Sequence, residues 1–473
     1  MLSHLLAAVL LAGSPGPVLP APKAVLDSAI ARMGGRSSLE GIVRIRREML
    51  TQWQRVSFDT RPYTDAPSYE QHSDVRDYSQ MAWRNTRTFL GAGPPLPIVD
   101  IVKDTVGIRL IRDKWGPLNV AYVDERNELF TFAPERLLLL AREAHGLKTL
   151  PDSAIGGLAH ARVSATINGY PTVLFIRRGD GLPAMVRFRA GQPNDFGLAP
   201  WGDMEVEIWF SRWAPLPGGA ILPTQWDTRR VGQPYKRISV IATALDTVAS
   251  ADSFAISDSL RQEFNLTARR PMHDLPLDSA RLLEPRLVAF RTNGAPAGAV
   301  KLGGAWYLLE AGQAPFNAER AAQWLETRDG GARTAGAFVT SSSGANGGFG
   351  WLVASRKTVR TAPTFEPVGK TILRNHGQAT PAGFAVQRGQ WHQLGGDSVW
   401  VEPIDYPDAP GALYLYVPAL KWAYSGMAMT PLQLAYLTRR LKERGFPVER
   451  TGSMRGVLTP LPSGVLSSAG DRK

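Results

Sequence analysis

The chain has 473 residues, 44% hydrophobic and 20% charged, which is material for packed cores and argues against wholesale disorder. Gly and Pro, 46 and 36 of them, favour many short strands over a coiled coil or helical solenoid. Fifty-four basic against 42 acidic residues give a net charge of +12, while the absence of cysteine removes disulfides, thiolate catalysis and Cys-ligated metal sites.

The chain opens on Leu5 to Gly13, an apolar run too short to span a bilayer, followed by the Pro/Gly-rich Ser14 to Pro22. Together they read as a signal peptide over residues 1–22, cleaved between Gly13 and Lys23, although the n-region holds only His4. The protein is therefore expected to be exported, periplasmic or extracellular. No Cys follows to make a lipoprotein, and no later stretch reaches 18 consecutive apolar residues, so no transmembrane segment is expected.

From Lys23 to Met33, the residues Val25, Leu26, Ala29, Ile30 and Met33 share one helical stripe, which Gly34-Gly35 can end in left-handed geometry. The period then changes. Ile42 to Arg46, Ala161 to Ile167, Thr172 to Arg177, Ala184 to Arg189, Glu205 to Phe210 and Arg237 to Ala244 are strand-like runs punctuated by Asn168-Gly169, Gly179-Asp180-Gly181 and Pro217-Gly218-Gly219. One helix interrupts them, with Pro134 in its first turn, Leu137 to Leu140 at its centre and Gly146 as its stop. Residues 23–268 are thus expected to form a curved antiparallel sheet carrying one or two helices.

The Pro/Asp/Arg-rich stretch 269–284 reads as a connector, after which strand and helix alternate through residues 285–460 and a tail follows at 461–473. Gly304 to Glu310, Ala335 to Thr340 and Gly411 to Val417 read as strands, and Asn317 as the cap of a helix reaching Thr327. Thr430-Pro431-Leu432-Gln433 is a capping box with Pro at the first helical position, and Gly445 closes that helix. The fold class is α+β.

Several motifs carry no chemistry. Val368-Gly369-Lys370-Thr371 lacks the glycine five residues before Gly369 that a phosphate-binding loop needs, since Thr364 stands there. Gly344 to Gly350 misses the dinucleotide spacing. Asn265-Leu266-Thr267 is a glycosylation sequon only in a eukaryotic secretory context. The histidines at 4, 72, 145, 160, 273, 376 and 392 never share the i, i+2 or i, i+4 spacing of a metal pair, so each reads as a surface or hydrogen-bonded core residue. The basic residues are mainly scattered arginine pairs, such as Arg177-Arg178 and Arg229-Arg230, with Arg44-Ile45-Arg46-Arg47 the tightest run. A solvated basic surface is the expectation, and no nucleic-acid partner.

The informative segment is Ala337 to Gly348, in which a strand ends in Thr340, a polar loop Ser341-Ser342-Ser343-Gly344-Ala345-Asn346 follows, and Gly347-Gly348 precede a helix. With Leu302 to Ala311 as an early strand ending in an acidic residue before a small one, and Gly411 to Val417 plus Lys421 to Gly426 as a later strand pair, this layout resembles the metallo-β-lactamase superfamily over residues 285–460. That resemblance implies a four-layer αββα domain with two face-to-face sheets and helices outside. It implies that the motif's four ligand positions hold Ser341, Ser343, Ala345 and Asn346. The downstream His then falls near Asp408, the bridging Asp near Gly426, and the last His near Arg455.

Hydroxyls, a methyl, an amide and a guanidinium do not assemble a zinc site, so no metal and no cofactor are expected. Without the metal, the family's hydrolytic route has no activated water. Arg455 either places a cation near the former metal position, where it could hold an anion, or is a surface residue. The expectation is a non-catalytic protein that binds a ligand or acts as a scaffold, its pocket candidates being Ser341, Ser343, Ala345, Asn346, Asp408, Gly426 and Arg455. Two enzymatic alternatives stay open: hydrolysis through relocated ligands, or a nucleophile among Ser341, Ser342 and Ser343 with His376 or His392 as base.

The N-terminal part has its own resemblance. A helix ending in Met33-Gly34-Gly35, a strand opening near Ile42, and Glu205 to Phe210 before Leu222-Pro223 look like exported domains of the lipoprotein-carrier type. In such domains a curved sheet forms an apolar concavity covered by helices, which implies lipid or apolar-ligand binding and leaves an apolar-ligand or lipid carrier, acting through this domain, as a further alternative function. An ordinary structural β-domain is the alternative. The ligand's identity and the oligomeric state are not written in the sequence.

Overall fold

The computed structural model describes residues 19–54, 67–91, 95–246, 251–292, 295–341 and 346–460. Most of the expected signal peptide, the tail 461–473 and the loop residues Ser342, Ser343, Gly344 and Ala345 lie outside the described residues.

The first sheet has 13 antiparallel strands in two meanders laid side by side, its edges being Lys114–Pro117 and His145–Ile155. The two meanders join where Arg44–Trp53 pairs with Gln233–Leu245. Asn168 and Gly169 both have positive φ, 48° and 86°, the two-residue hairpin geometry whose twist matches the flanking strands. The stripe residues of helix Pro22–Arg32 are buried as expected, and they pack with Leu137 and Leu138 of helix Pro134–Arg142 against Val163, Leu174, Val186 and Phe188 of the sheet. Gly34 must be glycine: a Cβ there would stand 2.0 Å from the Gly219 carbonyl oxygen, and its φ is +102°.

Four helices rather than one or two accompany this sheet before the long central hairpins, because Arg36–Glu40 is a single turn and Val120–Thr131 hides its periodicity. The latter buries Val123, Arg126, Glu128, Phe130 and Thr131, a face that is half polar and so invisible as an apolar stripe. A fifth helix, Asp258–Thr267, is capped by Ser257 and packs through Phe264.

The solvated-arginine expectation fails at Arg47, Arg76, Arg87, Arg126 and Arg230, all of them buried, and most completely at two of these. Strand alternation turns Arg47 and Arg230 inward, where each is about 98–99% buried. Arg47 Nη2 pairs with Glu135 Oε2 at 2.7 Å, and Arg230 Nη2 with Glu128 Oε1 at 3.1 Å.

The remaining chain builds two six-stranded sheets. One runs in chain order from Ser279–Glu284 to Thr358–Thr361, the other from Gln390–Leu394 to Gly456–Pro460. The first of these begins inside the stretch read as connector, because Ser279 to Glu284 pairs with Leu287 to Arg291 despite its polar residues. Val300, Leu309 and Phe338 of one sheet share a core with Val401, Leu415 and Tyr424 of the other, so the sheets pack face to face. Helices Pro315–Arg328, Phe349–Ala354 and Glu366–Asn375 cover the outer face of the first through Leu308 and Val339, while Pro431–Glu443 covers the other beside Tyr414 and Ala423. The order of layers is helix, sheet, sheet, helix.

Two caps separate right from wrong. Thr430 Oγ1 accepts from Gln433 N at 3.2 Å and Thr430 N donates to Gln433 Oε1 at 3.0 Å, the expected capping box. Asn317 is not a cap but the third helical residue. Its Oδ1 accepts from the backbone N–H of the actual cap, Ala314, at 3.0 Å, since Pro315 moves the helix start three residues earlier.

Candidate functional site

Strand Ala305–Leu309 is buried and apolar, and it ends because Glu310 adopts left-handed backbone at φ 66°. The turn sends the Glu310 side chain across to the end of the neighbouring parallel strand Thr334–Val339. There the carboxylate accepts from Thr340 Oγ1 at 2.5 Å and from Thr340 N at 3.2 Å. Thr340 Oγ1 in turn accepts from Gly426 N at 2.7 Å, and the Thr340 carbonyl accepts from Leu413 N at 2.7 Å. Thr340 thus stitches the ends of the two facing sheets together. Ser425 Oγ donates to the Leu413 carbonyl at 2.8 Å, and Met454 N to the Gly426 carbonyl at 3.3 Å. Gly426 has no room for a side chain, because a Cβ would stand 2.6 Å from Glu310 Oε1.

The loop beyond Thr340 returns at Asn346, whose Nδ2 donates to the Ser341 carbonyl. Gly347 N and Gly348 N then donate to the Gly312 and Ala311 carbonyls, so close that a Cβ on either glycine would lie 1.8 or 2.2 Å from a carbonyl oxygen of residues 311–313. That approach, rather than a ligand, explains the glycine pair. Burial pushes the Glu310 carboxyl up to about 8 against the lowering effect of the Thr340 bonds, so it is mainly neutral at pH 7. Burial and the Glu310 charge likewise push the enclosed Tyr424 phenol up.

Ser341 and Asn346 do come together, but 2% and 0% exposed, inside the packing and not on the walls of an open cleft. Gly426 belongs to the same hydrogen-bonded cluster. Asp408 is engaged elsewhere: both its oxygens accept from Gln433 Nε2, at 3.0 and 2.9 Å, bracing the start of helix Pro431–Glu443. Arg455 is exposed in the turn between strands Arg450–Ser453 and Gly456–Pro460. Ser343 and Ala345 lie outside the described residues. Of the two imidazoles considered as bases, His376 Nε2 sits 3.2 Å from the Pro200 carbonyl oxygen, and His392 is on strand Gln390–Leu394 with its pKa lowered by burial.

Zinc does not fit this donor set. The cluster offers hydroxyls, one amide and a single buried carboxyl already bonded to Thr340. Among the described residues no group of three or more His, Asp or Glu side chains could hold a metal ion. Sequence reasoning passed over Thr340 as a bridge and treated Glu310 only as a strand marker. The acidic residue directly before a small one was the available signal.

No protein-family model matches the chain, and no curated protein matches it. Among solved structures, the chain is similar to a putative outer membrane lipoprotein-sorting protein domain from Vibrio parahaemolyticus, with 10% identity over 53% of this chain and 100% of that one and a TM-score of 0.30. It is similar to a metallo-beta-lactamase from Pontibacter korlensis, with 14% identity over 40% of this chain and 95% of that one and a TM-score of 0.32. A double mutant of a sec-alkyl sulfatase is matched at 11% identity over 38% of this chain and 39% of that one, with a TM-score of 0.32.

Proposed function

We propose that this chain is an exported, non-catalytic protein in which a metallo-β-lactamase-like αββα unit serves binding or scaffolding, and the N-terminal sheet holds the ligand. The observation that carries this reading is the closure of the strand-end cluster on itself. The Glu310 carboxyl, the Thr340 hydroxyl and the Gly426 N–H satisfy one another, and the neighbouring Ser341 and Asn346 are buried. A hydrolase of this layout needs an ion and a bound water at that point, and these groups supply neither imidazole nor a free carboxylate. A serine route is no better supported, since His376 is committed to the Pro200 carbonyl.

The test is metal analysis of the purified full-length protein, with hydrolysis of nitrocefin, p-nitrophenyl acetate and bis(p-nitrophenyl) phosphate as readouts. Substoichiometric metal and buffer-level rates are expected. Stoichiometric zinc, manganese or iron whose removal abolishes turnover would overturn the reading. Export is tested by N-terminal sequencing of the periplasmic or secreted protein, with a new terminus expected between Gly13 and Lys23.

A further inference from the structure

The largest departure from an ordinary β-domain is the inner face of the N-terminal sheet. Strand Ser68–Asp77 turns Glu70, His72, Asp74 and Arg76 to one side, all at least 92% buried. Its neighbour Ala82–Leu90 adds Asn85 and Arg87, and the next two strands add Asp100 and Arg109. These groups line a cavity of about 650 Å³, within the range of about 300–1,000 Å³ that small-ligand sites occupy.

Three properties of that cavity decide what it can hold. The first is charge balance. Five basic residues line it, three of them Arg87, Arg230 and Lys236, against five carboxylates. Most are paired across it: Arg109 Nε to Asp100 Oδ1 at 2.6 Å, Arg76 Nε to Asp74 Oδ1 at 2.8 Å, Arg87 Nη2 to Asp100 Oδ2 at 3.3 Å, and Lys236 to Glu125 at 3.5 Å. A free anion or cation would meet its own sign as often as the opposite one.

The second property is unmet hydrogen bonding. Trp53 Nε1, Arg87 Nε and Arg230 Nε are buried donors with no partner, while Asn85 Oδ1 and His72 Nδ1 are buried without a well-formed bond, the Asn85 side chain acting only on the His72 ring. Bare buried atoms also occur elsewhere, as at Arg47 Nη1 beside Glu135, but here several line one cavity, where a ligand could meet them together and lift the cost of a half-satisfied network. The third property is ring surface. Trp53, Trp83, Phe89, Tyr122 and Tyr235 face the same space, with Arg109 4.6 Å over the Tyr122 ring and Arg230 4.4 Å over Tyr235.

We infer that this cavity binds a neutral, hydroxyl-rich ligand of saccharide type, its oxygens taking the free indole and guanidinium N–H groups, a hydroxyl donating to Asn85, and its C–H faces lying on the aromatic rings. An acyl chain is disfavoured, since it would strip water from ten charged groups and return no hydrogen bond. The inference deepens the ligand-binding part of the proposed function and rests on it.

The experiment is titration of the full-length protein, followed by tryptophan fluorescence, with glucose, N-acetylglucosamine, maltose, cellobiose, trehalose and chitobiose. Sodium dodecanoate and sodium phosphate are the apolar and anionic arms. At least one sugar is expected to saturate and to raise the melting temperature, while dodecanoate and phosphate do neither. Asn85→Leu should weaken that sugar about tenfold or more. Should Asn85→Leu fail to fold, Trp53→Phe removes the free indole N–H while keeping an aromatic, though smaller, ring, and it should weaken the same sugar severalfold. Silence of the whole sugar panel, saturation by dodecanoate or phosphate alone, or unchanged sugar affinity in a folded variant would overturn the inference. Chromatography of the titrated sugar separates the two readings. Intact sugar keeps the non-catalytic reading, whereas bound sugar recovered as cleavage product overturns it and leaves the cavity assignment standing.

Discussion

Glu310 offers the sharpest quantitative test of the strand-end cluster. In the unfolded chain its carboxyl titrates near 4.5, whereas burial moves it to about 8 in the fold. The folded state therefore holds the proton more tightly, and stability is full below the unfolded value and lost as pH rises through the folded one. The shift of about 3.5 units, at about 1.4 kcal/mol each, puts the total near 5 kcal/mol, of which about 4 kcal/mol falls between pH 5 and pH 9. Glu310→Gln removes the titration, keeps a carbonyl oxygen for Thr340 N and Oγ1, and presents an amide where the neutral acid has its hydroxyl. Urea unfolding of wild type and variant at pH 5, 7 and 9 reads the difference directly. The two should be within about 1 kcal/mol at pH 5, and the variant more stable by several kcal/mol at pH 9. A stability gap that stays flat from pH 5 to pH 9 would show that the carboxyl is solvated or paired with a cation, and the closed-cluster picture would fall with it.

Three further outcomes follow from the same packing. Gly426→Ala places a methyl 2.6 Å from Glu310 Oε1 and 2.9 Å from Thr340 Oγ1, and should cost about 1–3 kcal/mol in a denaturant melt. Arg47→Met strips the buried Glu135 of the partner 2.7 Å away, and should cost about 3–5 kcal/mol at pH 7. Burial raises the Glu135 pKa, but the Arg47 and Arg76 charges outweigh it and hold it at about 2. The wild type therefore loses stability as pH falls from 4.5 toward 2, and Arg47→Met should lose less over that window. Thr430→Ala breaks one arm of the capping box and should lower stability by about 1 kcal/mol, visible as a small drop in melting temperature.

The second half of the chain was the more legible. Its strands are apolar on both faces, as in Ala412–Val417, where every residue is buried, and such runs announce themselves without periodicity. Its helices carry Pro at the first position and a reciprocal Thr–Gln cap, signals that local chemistry writes into the sequence. The site was less legible. Ser341, Asn346 and Gly426 were placed by layout, and Asn346 is indeed bonded to Ser341 and Gly426 to Thr340, but nothing in a row of serines says whether a cleft is open or packed shut. Asp408 looked like a pocket carboxylate. Its pairing with Gln433, 25 residues on, depends on how a helix start lies across a loop, which no local pattern encodes.

The strands from Ser68 to Pro117 were not legible at all, and the reason is the same feature that makes them interesting. A half-buried strand is read from apolar residues alternating with polar ones. In Ser68–Asp77 the buried set is Glu70, His72, Asp74, Arg76 and Asp77, while Tyr69 is exposed and Val75 only half-buried against a second core, so the hydropathy pattern is inverted. A sequence that spends inward positions on charge forgoes about 1.5–3 kcal/mol of apolar burial at each, and it must recover that through pairing or through something bound. Here pairing recovers part of it, as at Asp100 with Arg109 and Asp74 with Arg76. The free N–H groups of Arg87, Arg230 and Trp53 mark the part it does not recover. The strand ends of the second half are packed more tightly: Glu310, Thr340 and Gly426 bond one another there, and Asn346 Oδ1 and the Tyr424 hydroxyl, though buried without a partner, face no open cavity of comparable size among the described residues. Unmet hydrogen bonds and open volume coincide at the inner face of the N-terminal sheet, and that coincidence is the ground on which we infer a ligand there.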